Sequence, residues 1–437
     1  MVNMKNLINK FRSSVWLYPV VYSLVALILS IVITFIDKTY TDELSYFVNG
    51  IFYTTPALAQ TVLGIVAGAF ITIATFTFST TMVVLTMYSS QFTPRVVENF
   101  LNNETTMKSF GIFISGFIYA VTSILFIDVS IDGNLILAAS VGVVYVIIGL
   151  IYFILFIHSV STHIQASDLI LRLHLEALNK IKEYRGFIKE PKIISEDGML
   201  EIVKDKNALK VFSPSDGYIQ EIDYPRLQKL AENHKGIFCF KKVVGQFVST
   251  ETRILTIYDK GQEAFDEKIV DQIQKCVIIG NKKTQAQDFS FTIQKIVEIA
   301  VKALSPGIND PNTAIHCLRI IGVLLRDLAD IKKGYVILKE KDESGFIIYE
   351  AFDLEVLLYD AYNQIMFYGQ SDASVVVEGF KSLGFIKAKA SGENITILKA
   401  YTENLFEKLI NNVYGKFEYS KIIKEYNELI KDEDMSE

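Results

Sequence analysis

The sequence contains little cysteine and histidine, with three Cys and five His among 437 residues. The cysteines Cys239, Cys276 and Cys317 are odd in number and far apart, which argues against a disulfide framework and against a zinc site. His163 and His174 would lie three turns apart on one helix, too far to share a metal. We therefore expect neither a metal site nor a bound cofactor.

Sequence signatures of nucleotide and peptidase chemistry are absent as well. The chain has no phosphate-binding loop, no dinucleotide fingerprint and no HExxH motif. The formal net charge is −6 and no basic cluster stands out, which argues against a nucleic-acid partner. No residue set points to catalysis, so we expect a protein that is not an enzyme.

Hydrophobic residues are abundant instead: they make up 50% of the chain and concentrate in the first ~160 residues. Because a bilayer needs about 20 apolar residues per helix, we predict a transmembrane domain over 1–162. A signal peptide is the competing interpretation of the first segment, but its apolar run is too long and no cleavage site follows. The predicted spans are about 16–36, 57–87, 110–127 and 135–160.

Basic residues are distributed unevenly between the loops that join these spans. The first loop contains Asp37, Lys38, Asp42 and Glu43 and is net acidic. The positive-inside rule therefore predicts that both termini are cytosolic, which agrees with an even number of spans. The basic residues on the cytosolic side are Lys5, Lys10, Arg12, Arg95, Lys108, Arg172, Lys180, Lys182 and Arg185.

The second span carries small and hydroxyl-bearing residues at helical spacing and no charged residue. Such a face either lets another helix pack closely, as the Gly64-x-x-x-Gly68 pattern suggests, or lines a water-filled path. We call this set the stripe: Thr61, Gly64, Gly68, Thr72, Thr75, Ser79, Thr86 and Ser90.

The rest of the chain is predicted to be a soluble, mixed α+β cytosolic domain. An amphipathic helix over 163–190 would form a stalk. Alternating short strands and helices predict a small α/β subdomain over 199–285. Helices and a β-hairpin predict a second subdomain over 286–430, and the acidic residues 431–437 predict a disordered tail.

The segment Ser305-Pro306-Gly307-Ile308-Asn309-Asp310-Pro311 has two interpretations. Structurally, it is a helix–turn–helix corner in which Gly307 supplies a positive φ, Asp310 caps the next helix and Pro311 begins it. Functionally, Asn309 and Asp310 could bind a ligand or cation, and the helix start could bind an anion.

Three blocks together resemble an uncharacterised bacterial family of predicted membrane proteins that is defined by a domain of unknown function. They are Ser90-Gln91-Phe92-Thr93-Pro94-Arg95, Lys283-Thr284-Gln285-Ala286-Gln287-Asp288 and Ser305 to Ala314. The family typically has Ser at Thr93 and Arg at Lys283. The resemblance implies four spans and a soluble C-terminal region, but no activity. We expect the protein to lie in the bacterial cytoplasmic membrane. From it we take a cytosolic motif: Gln91, Pro94, Arg95, Thr284, Gln287, Asp288, Ser305, Pro306, Gly307, Asn309, Asp310 and Pro311.

The predicted spans contain no acidic or basic residue apart from His158, which lies at the cytosolic end of the fourth span. This argues against a proton-coupled transporter but not against a passive pore. Our first hypothesis is a homo-oligomeric passive ion channel, lined by the second span and gated by the cytosolic domain. The alternative is a membrane-anchored protein that binds a ligand or serves as a scaffold without conducting. A membrane enzyme is a third, weaker hypothesis. The expected partners are the lipid bilayer, further copies of the chain and a small ion or ligand.

Overall fold

The computed structural model describes residues 17–39, 52–91, 104–127, 136–163, 166–188, 192–258, 267–284, 287–338, 345–410, 412 and 414–431. The chain forms two compact units, Met1–Leu169 and Ile170–Glu437.

The first unit contains four helices that are long and apolar enough to cross a membrane, as the sequence predicted. They are α1 (Leu17–Thr39), α2 (Pro56–Gln91), α3 (Glu104–Phe126) and α4 (Ala138–His163). Helix α3 begins six residues before the predicted span because its first turn is polar. There Glu104 accepts a hydrogen bond from Tyr18 Oη at 2.8 Å and pairs with Lys108 at 2.8 Å.

Helix α3 packs against α1, α2 and α4, and the core of this unit forms around it. The ring of Phe70 on α2 is clamped between two glycines. A Cβ added to Gly116 on α3 would lie 2.5 Å from that ring, and one added to Gly149 on α4 would lie 2.6 Å from it. Glycine is therefore required at both positions for the helices to approach this closely.

The prediction that Asp37 lies in the first loop is wrong. The residue lies in the last turn of α1 and is buried. Its carboxylate accepts hydrogen bonds from the backbone N–H groups of Leu137, at 2.9 Å, and Ala138, at 3.2 Å. Asp37 thus satisfies free donors at the start of α4, a role that a residue distant in sequence can take only after folding.

The second unit is built from helices and two sheets. Its helices are α5 (Ala166–Ile188), α6 (Glu196–Val203), α7 (Tyr224–Asn233), α8 (Glu267–Gln274), α9 (Phe289–Ala303), α10 (Pro311–Arg326), α11 (Leu354–Gly369), α12 (Ala373–Lys387), α13 (Gly392–Leu409) and α14 (Lys416–Ile430). Its strands are β1 (Lys192–Ile194), β2 (Ala208–Phe212), β3 (Gly217–Ile222), β4 (Ile237–Phe240), β5 (Phe247–Val248), β6 (Arg253–Tyr258), β7 (Val277–Gly280), β8 (Tyr335–Leu338) and β9 (Phe346–Glu350).

One sheet has six strands in the order β1-β8-β9-β4-β6-β2, and the other has three in the order β5-β3-β7. The larger sheet takes β2, β4 and β6 from the first predicted subdomain and β8 and β9 from the second. The two are joined by the parallel pair β4–β9, in which Phe238 lies opposite Ile347. The predicted boundary at residue 285 therefore lies between segments that contribute to one sheet.

Most local elements of this unit match the sequence patterns, including the β8–β9 hairpin and the start of α10 at Pro311. Strand β1 and helices α6 and α14 were not predicted. The Ser195 hydroxyl caps α6 by accepting from Gly198 N, so Gly198 lies in the first helical turn. The predicted tail beyond residue 431 lies outside the described residues.

Candidate functional site

All eight residues of the stripe are exposed on the surface of α2. The opposite face of the same helix is buried, with Leu63, Phe70, Thr77 and Val84 directed into the four-helix core. The stripe therefore faces away from the rest of its own unit, and in a membrane it would face lipid, another chain or water.

The glycines of the stripe do not serve helix packing within this chain. A Cβ added to Gly64 or Gly68 would meet no atom within 4 Å. Among the described residues, close helix contacts involve Gly111, Gly116, Gly142 and Gly149, none of which the sequence patterns indicated. Gly142 and Gly149 are seven residues apart, a spacing that puts them on one helix face and could have been recognised.

Five of the six hydroxyl groups of the stripe donate to carbonyls of their own helix. Thr72 Oγ1 donates to Gly68 O at 2.7 Å, and Thr75 Oγ1 donates to Ile71 O at 2.8 Å. Thr61, Thr86 and Ser90 make similar bonds to carbonyls three or four residues earlier. Because each donated proton points back to the backbone, the hydroxyl oxygens offer acceptor lone pairs outward.

The middle of the stripe borders an open groove of about 430 Å³. Its lining consists of Ile71, Thr72, Thr75, Phe76 and Ser79. Further along the helix, the exposed side chains Met82 and Val83 interrupt the hydroxyl-bearing positions. The surface thus alternates between oxygen acceptors and apolar side chains.

The segment that contains Thr284, Gln287 and Asp288 fastens β3 to the start of α9. The Gln287 amide accepts from Ile222 N at 3.1 Å and donates to Ile222 O at 3.3 Å. Thr284 Oγ1 donates to Gln220 O at 3.4 Å. Asp288 Oδ1 accepts from Phe291 N at 3.1 Å and so caps α9.

Asp288 is buried, and its second carboxylate oxygen has no hydrogen-bond partner among the described residues. A Cβ on Gly245 would lie 2.1 Å from that oxygen, so glycine is required opposite it. Burial raises the pKa of Asp288, while the hydrogen bonds from Ser290 and Phe291 and the charge of Lys283 act in the other direction.

In the corner between α9 and α10, the structural role of Asp310 is clear. Its Oδ1 accepts from Thr313 N at 3.1 Å, and its Oδ2 accepts from the Thr313 hydroxyl at 2.5 Å. The prediction of a positive φ at Gly307 is wrong, because the left-handed residue is Asn309, with φ of 51°. Asparagine tolerates this conformation better than most residues, which made glycine unnecessary there.

The remaining residues of the predicted cytosolic motif contribute differently. Ser305 Oγ donates to Lys302 O at 2.7 Å, and Ser305 O accepts from Asn309 N at 2.9 Å, so this residue closes the turn. Pro306 is exposed and Pro311 begins α10. Pro94, Arg95 and the side chain of Gln91 lie outside the described residues.

Comparison with known families matches residues 12–384 to the family described as Predicted membrane protein (DUF2254). This match covers most of the chain. The chain belongs to this family. The matched range includes the four candidate membrane helices, the sequence blocks 90–95 and 283–288, and the corner at Asp310. It ends inside α12.

Curated relatives include the uncharacterized protein Mb1321c of Mycobacterium bovis and the uncharacterized protein Rv1290c of Mycobacterium tuberculosis. Each is 25% identical to this DUF2254 chain over 336 residues, which is 74% of this chain and 62% of the relative. The chain thus spans less than two thirds of the length of these relatives. No solved structure matches it.

Proposed function

We propose that this protein is a homo-oligomeric passive ion channel in which α2 of each copy turns its stripe toward a shared pore. The observation that carries the proposal is the exposure of all eight stripe residues on the face of α2 opposite the bundle core. A symmetric ring of copies would convert this outward face into an inner wall.

The chemistry of the stripe supports a pore wall more than a lipid-facing surface. Exposed glycine weakens a helix by roughly 0.5–1 kcal/mol relative to alanine, and neither Gly64 nor Gly68 gains a packing contact within the chain in return. Lipid-facing positions are ordinarily large and apolar, as Ile65 is beside the stripe. A line of small residues instead fits a surface along which ions pass or which another helix approaches.

The outward lone pairs of the hydroxyl oxygens favour cations. Thr72 and Thr75 have already donated their protons to the backbone, so they can coordinate a cation or accept from its hydration water. No full charge lines the stripe, so conduction would be passive and weakly selective. Met82, where the hydroxyls are interrupted, would form a hydrophobic constriction.

The orientation and gating follow from the charge distribution. Because the basic residues concentrate on one side of the predicted spans, we place both termini and the second unit in the cytosol of a bacterium. In this arrangement the second unit is the part of the protein that can respond to the cytosol, and we assign to it the control of opening. The proposal includes no catalytic activity.

Leucine substitutions test the lining. Thr75→Leu and Ser79→Leu each replace an oxygen acceptor of the groove with a larger apolar side chain, so both should abolish or strongly reduce current without preventing assembly. Thr34→Leu is the matched control, because Thr34 on α1 also bonds its own backbone but lies outside the stripe. Unchanged current in both stripe variants would contradict this lining.

The alternative, a membrane-anchored sensor or scaffold that does not conduct, gains less support from the geometry. It assigned a ligand to Asp310, and both carboxylate oxygens of that residue are engaged with Thr313. Asp310→Ala should therefore lower stability through loss of the cap. A ligand whose binding is abolished in a stably folded Asp310→Ala protein would restore the alternative.

A further inference from the structure

The buried face of α2 changes character along its length. Leu63 and Phe70 occupy the first part of this face, whereas Thr77 and Thr81 occupy the next turns. Both threonines are shielded from the surface, with exposed fractions of 0% and 5%. Hydroxyl-bearing side chains at such positions are unusual choices where leucine or alanine would pack without a polar atom.

The contacts between helices show which residues lie at the same level. Helices α2 and α3 are antiparallel neighbours, since the ring of Phe70 meets Gly116 and the rings of Phe78 and Phe110 lie 6.3 Å apart. This register puts Thr77 level with Ser109 and Thr81 level with Thr106. All four are buried.

Helix α4 adds a fifth hydroxyl at this level. It runs parallel to α2, with Gly149 against Phe70 and the rings of Phe76 and Phe153 5.9 Å apart. The same offset puts Ser159, which is also buried, level with Thr81. We call these five residues the hydroxyl cluster: Thr77, Thr81, Thr106, Ser109 and Ser159.

The other half of the bundle interior is mainly apolar and aromatic, and its buried hydroxyl groups are paired. Ser30 Oγ lies 3.0 Å from Ser123 Oγ, and Tyr119 Oη donates to Ala138 O at 2.9 Å. The buried residues of this half include Leu63, Val66, Phe70 and Tyr119. The Phe70 ring, clamped by Gly116 and Gly149, lies at the border between this half and the hydroxyl cluster. Buried polar groups therefore occur on both sides of Phe70, but on the side of Tyr119 they are hydrogen-bonded within the protein.

One hydroxyl of the cluster, that of Thr77, has no hydrogen-bond partner in the part of the chain that the structure describes. Thr77 Oγ1 is fully buried and makes no hydrogen bond to any described residue. By contrast, Thr81 Oγ1 donates to Thr77 O at 2.8 Å, and Ser109 Oγ lies 2.8 Å from Thr105 O and 3.2 Å from Tyr152 O. Lipid cannot satisfy a buried hydroxyl, so the partner must come from inside the bundle.

We propose that the hydroxyl cluster is a water-binding site inside each four-helix bundle. A water molecule there would accept from Thr77 Oγ1 and donate to the oxygen lone pairs of neighbouring hydroxyls or carbonyls, which gives it the two to four partners an internal water needs. The site lies on the opposite face of α2 from the stripe, so it is independent of the proposed pore. In the proposed orientation it occupies the cytosolic half of the bundle.

Radiolytic labelling of the full-length protein in lipid nanodiscs tests the site, with H₂¹⁸O as the probe. Hydroxyl radicals generated from bound water modify side chains beside it. Phe156 and Met107 are buried at the level of the cluster, while Tyr119 is buried on the other side of Phe70, where the hydroxyl groups are paired, and serves as the internal control. We expect ¹⁸O incorporation at Phe156 and Met107 at least several-fold above that at Tyr119. Equal or absent labelling at both levels would overturn the proposal.

Thr77→Val tests whether Thr77 holds the water, because valine keeps the shape of threonine and removes the hydroxyl. If water is bound there, labelling at Phe156 should fall and the melting temperature should not rise. If Thr77 is a dry, unsatisfied hydroxyl, valine should raise the melting temperature and leave the labelling unchanged, which would overturn the assignment. Thr72→Val on the exposed stripe is the matched control and should leave labelling at Phe156 intact.

Discussion

Alanine at Gly116 is expected to destabilise the membrane unit through a clash with a single ring. The new Cβ would lie 2.5 Å from Phe70 Cε2, about 1 Å inside an ordinary carbon–carbon contact. The ring cannot move away, because Gly149 closes its other side and a Cβ there would lie 2.6 Å from it. Overpacking of this kind costs about 1–3 kcal/mol, and the better helix propensity of alanine returns at most about 1 kcal/mol.

Reversible unfolding in mixed micelles measures the effect as a lowered free energy of unfolding. Gly68→Ala is the matched control, since its Cβ would meet nothing within 4 Å and should leave stability unchanged or slightly higher. Adding Phe70→Leu to Gly116→Ala should recover part of the loss, giving a coupling energy of about 0.5–3 kcal/mol. Wild-type stability in Gly116→Ala, or an equal loss in Gly68→Ala, would refute the close packing of the Phe70 ring between Gly116 and Gly149.

Three further predictions concern single contacts and are read from unfolding of the full-length protein in detergent. Asp37→Ala should lose about 1–2 kcal/mol because two N–H groups at the start of α4 lose their acceptor, whereas Asp37→Asn should lose less; equal stability of all three proteins would contradict the cap. Burial lowers the pKa of His174 below its ordinary value of 6.5, an effect that nearby His316 reinforces and Asp327 opposes. The unfolded chain then binds the proton first, so the stability this ring contributes is full above pH 6.5 and is lost as the pH falls through the folded pKa. His174→Gln should reduce the change of melting temperature between pH 5 and 8 relative to wild type. The exposed His234→Gln should not reproduce this effect. Gly245→Ala should cost about 1–3 kcal/mol, since φ is 90° and the Cβ would lie 2.1 Å from Asp288 Oδ2, while Gly392→Ala, with nothing within 4 Å, should be tolerated.

The sequence was sufficient to predict the features that depend on local pattern. Long apolar runs predicted the four membrane helices, and Asp310 followed by Pro311 predicted the cap and first turn of α10. These signals are strong because span length and capping chemistry are set by neighbouring residues alone.

Features that depend on distant residues could not be predicted in this way. Asp37 caps a helix 100 residues away, and β4 pairs in parallel with β9 across more than 100 residues. Neither of these contacts produces a periodic pattern in the neighbouring sequence. The same limit applies to the stripe, because helical spacing showed that its residues share one face but not that this face points away from the core.

The glycines of the membrane unit show that a local pattern alone does not identify the positions of close helix packing. Gly64 and Gly68 match a known packing pattern, yet both face open space. Gly116 and Gly149 carry the close packing because Phe70, a residue on a third helix, fits between them. Which glycine a large side chain will reach depends on helix register, and register is settled by the whole bundle.

The central claim is that the stripe of α2 lines a conducting pore, and the most direct test is ionic current through purified protein in a planar bilayer under asymmetric KCl. The account predicts discrete currents with a reversal potential shifted toward that of K⁺, lost in Thr75→Leu and Ser79→Leu and kept in Thr34→Leu. Silence from folded, oligomeric wild-type protein, or currents that both stripe variants leave unchanged, would contradict it.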